Sequence, residues 1–134
     1  MNPQFSFENL DVYKRALAFS KKVLTLTKEI KGQYSWCDQF NRAATSISLN
    51  LAEGSGRWHA KDKANFYFIS RGSAFECVPL IELGFELGLV AEIQKTELRD
   101  DLHTITVYEL KNESDDRTIS EMASSHSSFK MIRR

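Results

Sequence analysis

Val12, Ala16, Phe19, Val23, Leu26 and Ile30 are separated by steps of four, three, four, three and four residues. A helix of 3.6 residues per turn puts such a series on one line, whereas a strand would scatter it over both faces. The segment from Asn9 to about Lys31 therefore reads as a helix with an apolar seam. Tyr13, Leu17 and Leu24 widen the seam into the stripe of a helix packed in a bundle. Asn9 is the expected N-cap, and Asp11 suits the positive end of the helix dipole. A helix with so broad an apolar stripe needs others to cover it. Only two prolines and six glycines interrupt the 134 residues, which leaves room for long partners.

A second helix reads from Trp36 and Asp38 to about Glu53, with Phe40, Ala43, Ala44, Ile47 and Leu51 on its core face. Beside that face runs a polar strip of Arg42, Ser46, Asn50 and Glu53. It flanks the core instead of opposing it, so these groups are expected to be half-buried and to need partners. Gly54 is expected to end the helix in a positive-φ conformation, with Gly56 loosening the turn. A phosphate loop built on Gly54, Gly56 and Arg57 is the weaker alternative, because no strand precedes it.

The third helix spans roughly Ala60 to Leu87, with Ile69, Gly72, Ser73, Glu76, Leu80, Leu83 and Leu87 on one face. Glu76 in such a seam must be paired or protonated, and Arg42 is the expected partner. Pro79 removes one backbone donor and is expected to kink the helix near Phe75 and Glu76. The fourth helix runs from about Glu92 to Lys111 on a seam of Leu98, Leu102 and Ile105, with Tyr108 and Leu110 near its end. After that the periodicity fades. The expected architecture is all-α: an antiparallel up-down-up-down four-helix bundle over residues 1–111, followed by a flexible or weakly helical, poorly ordered tail over 112–134.

Net charge is zero but unevenly spread. Residues 1–75 carry 11 Lys and Arg against 6 Asp and Glu, whereas residues 76–134 carry 7 against 12. Such asymmetry fits either a basic surface for an anionic partner or complementary faces for self-association. Lys14, Lys21 and Lys28 line one strip of the first helix, with Arg15 and Lys22 beside it. Either the strip is a solvated face or it meets phosphates. Lys14, Arg15, Lys21, Lys22, Arg57, Lys61 and Lys63 are the candidate nucleic-acid contacts.

Several functions are not expected. No apolar run approaches the ~20 residues of a membrane span, and the N-terminus lacks the basic start and apolar stretch of a signal peptide. A cytoplasmic protein without membrane contact is expected. Cys37 and Cys77 have no metal-type spacing and read as buried thiols. His59, His103 and His126 form no cluster, and Asp100 with His103 makes only one degenerate half of a carboxylate-bundle metal site. No phosphate-loop or nucleophile-elbow motif is present. The chain is expected to be no enzyme, with no catalytic residue, metal or cofactor.

Three groups of residues resemble a known family. Phe7, Leu10, Val12, Tyr13 and Ala16 open the first helix; Ser46, Asn50, Ala52, Glu53, Gly54, Gly56 and Arg57 close the second. Lys61, Asp62, Phe66, Gly72, Ser73 and Glu76 mark the third. Together, over about residues 5–111, they resemble the bacterial four-helix bundle proteins encoded in intervening sequences of 23S ribosomal RNA genes. Accessory variability determinants of diversity-generating retroelements belong to the same broad group. The resemblance implies a ring-like homopentamer. For the retroelement branch it further implies a basic surface that engages RNA or DNA and a partner reverse transcriptase. It also implies a structural role for Ser46, Asn50, Glu53 and Glu76. A purely structural oligomer or a protein–protein adaptor remains the alternative. His59, Cys77 and Pro79 depart from the family pattern.

Overall fold

The computed structural model describes residues 4–115, with side chains described as far as Glu109. A 3-10 turn at Ser6–Asn9 leads into α1 (Asp11–Lys28), α2 (Tyr34–Ser55), α3 (Ala60–Glu86) and α4 (Glu92–Asp115). The described residues contain no strand. Connections this short force successive helices to run antiparallel. Each helix packs on its neighbour in sequence, and α1 closes the bundle against α4. Positive φ occurs at Gly32 (87°) and Gly88 (76°), where the chain reverses between helices. The expected tail falls outside the described residues, apart from the α4 backbone, which continues to Asp115.

Three of the four seams are where the periodicity puts them. Phe19 from α1, Phe40 and Ile47 from α2, and Leu102 and Ile105 from α4 are fully buried. Each contributes roughly 1.5–3 kcal/mol relative to exposure. The first seam is narrower than expected, because Leu17 and Leu24 lie outside it, exposed. Asn9 belongs to the 3-10 turn, and the extended residue before α1 is Leu10.

The third helix is rotated from its expected setting. Its buried face consists of Ser70, Ser73, Ala74, Cys77, Leu80, Ile81 and Gly84, whereas Ile69, Glu76, Leu83 and Leu87 are exposed. Small side chains on the inner face let α2 approach closely. The Trp36 indole lies over Gly84 and donates its N–H to the Leu80 carbonyl at 2.9 Å. α3 remains helical through Pro79, which sits on the exposed side.

Gly54 likewise differs from expectation. It lies within α2, which ends at Ser55, and Gly56 follows as the cap with φ of −85°. Its lack of a side chain serves packing: a Cβ there would come within 3.0 Å of Phe66 Cβ and Tyr67 Cε1.

Both cysteines are free and buried. Burial, with a smaller contribution from the neighbouring Glu76 carboxylate, pushes the Cys77 thiol up to about 12 from an ordinary 9.0. That leaves about a thousandth of the usual thiolate at a given pH, and the thiolate is the reactive form. Ellman's reagent at pH 8 is therefore expected to label Cys77 only as the protein unfolds. Rapid labelling of the native protein at this residue would contradict the burial.

Candidate functional site

The seven candidate cations do not form one surface. Lys22 Nζ lies 2.7 Å from Asp101 Oδ2 and 2.7 Å from Glu97 Oε1 on α4, and these two carboxylates hold its ammonium pKa above the usual value. Arg15 Nε bonds Asp11 Oδ2 at 3.1 Å, and its guanidinium sits 5.1 Å from the Tyr108 ring centroid. Arg57 bonds Glu53 at 3.1 Å and covers the Phe66 ring at 4.6 Å. All three are turned onto the bundle and locally neutralised. Lys14, Lys21, Lys61 and Lys63 form no ion pair among the described residues, though Arg15 and, more weakly, Lys14 hold the Asp11 carboxyl below its usual pKa. They fall in two places: Lys14 and Lys21 along α1, Lys61 and Lys63 at the start of α3.

Two apolar surfaces stand out instead. An open groove between α1 and α2 is floored by Leu17, Leu24 and Leu49, which are between 44% and 63% exposed. Lys14, Lys21 and Lys28, spaced by seven, form its rim on α1. On α3 and its C-cap, Ile69, Phe75, Leu83 and Leu87 point outward, between 37% and 57% exposed. Glu76 and Glu86 are exposed among them. Exposed apolar side chains of this size are more than the scattered single residues of an ordinary surface. One surface is bordered by cations and the other by carboxylates.

The described residues contain no group of three His, Cys, Asp or Glu side chains able to hold a metal ion. Nor does any described helix have the length and apolarity to cross a membrane.

The model of the 23S rRNA-intervening sequence protein family matches residues 8–108, from the 3-10 turn to near the end of α4. The chain belongs to this family. A crystal structure from Bacteroides thetaiotaomicron, of a protein with unknown function from the S23 ribosomal protein family, shares the fold. The TM-score is 0.70 at 21% identity, over 75% of this chain and 95% of that one. Among curated proteins none matches.

Within this intervening-sequence fold the expected polar network is smaller than its five candidates. Asn50 Nδ2 donates to the Ser46 carbonyl at 2.7 Å and lies 2.8 Å from Ser46 Oγ. Ser73 Oγ reaches Ser46 Oγ at 2.9 Å and so ties α3 to α2. The other three candidates are outside this link. Arg42 pairs with Asp38 at 3.1 Å, one turn back on its own helix, and Glu53 pairs with Arg57. Glu76 is exposed because α3 is rotated, so the expected Arg42–Glu76 pair does not form. Further cross-links come from residues the periodicity did not single out. Ser70 Oγ bonds the Ile47 carbonyl at 2.9 Å, beside buried Glu109, and Ser20 Oγ bonds the Ala44 carbonyl at 3.0 Å. Serine at a small-residue helix contact is the signal that could have found them.

Proposed function

We propose that this intervening-sequence protein is a non-enzymatic bundle that assembles with copies of itself. The lysine-rimmed α1/α2 groove of one copy receives the acid-flanked α3 face of the next. The observation that supports this is the opposite charge bordering two separate exposed apolar surfaces. Apolar contact supplies affinity, while Lys14, Lys21 and Lys28 facing Glu76 and Glu86 supply orientation. A contact between two different faces of one chain is head-to-tail, and it closes into a ring when the rotation per copy allows. A five-membered ring is the size that the family resemblance implies.

Light scattering after size exclusion tests the reading. The expected mass is about 77 kDa, five times the 15.4 kDa chain, with dissociation on dilution easier at high salt because screening weakens the charged rims. A mass of 15.4 kDa at every salt concentration overturns it.

A second reading, contact with RNA or DNA, is favoured by the four lysines that form no ion pair among the described residues. Lysines in this state release counterions on meeting phosphates, without reading sequence. Lys14 and Lys21 rim the proposed subunit contact, so the α2–α3 loop with Lys61 and Lys63 is the end left for nucleic acid.

A further inference from the structure

Trp58 is 94% exposed, more than any other large apolar side chain described. It lies in the four-residue connection between α2 and α3. That connection is tied down on both sides. The Arg57 N–H bonds the Gly54 carbonyl at 3.1 Å, and the Arg57 side chain is clamped between Glu53 and Phe66. After it, the Lys63 N–H bonds the His59 carbonyl at 3.0 Å as α3 begins. Trp58 itself has no ring contact or hydrogen bond among the described residues. A loop anchored at both ends thus holds a bare indole in water, where an aromatic ring of this size is costly to leave unused.

The surroundings indicate what covers it. Lys61 and Lys63 follow the indole against one acid, Asp62, while Arg57 just before it is already paired with Glu53. A protein hot spot is ringed by groups that close over it and exclude water, whereas Trp58 is left 94% exposed with Lys61 and Lys63 close by in sequence. A flat π-face beside cations is the arrangement that binds unpaired nucleotides, with the base stacked and the phosphate held by charge. Bases in a duplex are already stacked on each other, so the indole could enter only at the cost of unstacking a step.

We propose that the α2–α3 loop binds single-stranded nucleic acid, with a base stacked on Trp58 and the adjoining phosphates met by Lys61 and Lys63. This rests on the nucleic-acid reading above and narrows it to unpaired strands. Stacking on one aromatic side chain is tolerant of base identity, so no sequence preference is expected.

The chain has two tryptophans, and Trp36 is only 6% exposed, so Trp58 can be read separately. Trp58 emission is taken as the difference between the wild-type protein and Trp58→Phe. Binding is followed independently by the anisotropy of a labelled oligouridylate and of an RNA duplex of equal length, both at low salt. The expected result is quenching of Trp58 emission by the single strand and not by the duplex. Trp58→Ala is expected to weaken oligouridylate binding about 5- to 150-fold, with Trp58→Phe falling between it and wild type. Because Trp58 packs on nothing, neither variant should lose its fold, and circular dichroism checks this. If the oligouridylate binds but Trp58 emission and the Trp58→Ala affinity are unchanged, the stacking site is wrong while the nucleic-acid reading stands. If neither probe binds, that reading falls and this one with it. If iodide cannot quench Trp58 in the protein alone, the indole is a subunit contact and the proposal is overturned.

Discussion

Leu24→Glu and Leu83→Glu are each expected to reduce the assembled protein to a 15.4 kDa monomer. Mixed together, they are expected to form a dimer and nothing larger. Leu24 lies in the α1/α2 groove and Leu83 on the α3 face, and both are exposed in the single chain, so either carboxylate leaves the monomer fold intact. Docking would press that carboxylate against apolar side chains, and even with a rim lysine nearby its desolvation costs several kcal/mol. Each 1.4 kcal/mol is tenfold in affinity, so the contact should weaken by at least about a hundredfold. In the mixture, the Leu24→Glu chain offers an intact α3 face and the Leu83→Glu chain an intact groove. One good contact forms, and the two spoiled faces left over stop growth at about twice 15.4 kDa. The measurement is light scattering on the two variants and on their equimolar mixture. A groove-to-groove contact gives a different pattern, in which Leu83→Glu still assembles by itself. That outcome would remove the head-to-tail arrangement.

Gly84→Ala is expected to destabilise the fold by about 3 kcal/mol, the upper part of the range for overpacking a core. Helix propensity alone predicts the opposite, since alanine in a helix interior is favoured over glycine by about 1 kcal/mol. The geometry decides the sign. A Cβ at position 84 would fall inside contact distance of Trp36 Cζ2 and 2.8 Å from Val90 Cγ2. Carbon atoms prefer roughly 3.5–4.0 Å. The indole cannot swing away cheaply, because its N–H is bonded to the Leu80 carbonyl and its ring packs 5.3 Å from Phe40. Urea denaturation measures the loss. Repeating it with Trp36→Leu as the background should shrink the Gly84→Ala penalty, because contacting residues are not additive. An equal penalty in both backgrounds would show that the indole is not what fills the space.

The two predictions use opposite surfaces of the same helix. α3 keeps its small residues inward, where Gly84 admits Trp36 and Ser73 meets Ser46. Ile69, Phe75 and Leu83 stay outside, where a second copy can cover them. One helix thereby serves both the bundle and the proposed assembly.

The helices themselves were legible in the sequence. Large apolar residues at helical spacing on one side and charges on the other define α1, α2 and α4, but Gly54, read as the end of α2, lies inside it and serves packing. The amphipathic pattern is a property of a single helix, so it needs no knowledge of the partner. α3 carries apolar residues on both sides, and there periodicity could not say which side is inward. The larger residues suggested one face; close approach to α2 selected the other, because the fit of small residues depends on two helices together. The candidate site was legible in the same limited sense. Lys14, Lys21 and Lys28 lie in one strip as their spacing requires. That Lys22 is neutralised could only come from the tertiary structure, since its partner Asp101 is 79 residues away and charge pairing acts through space.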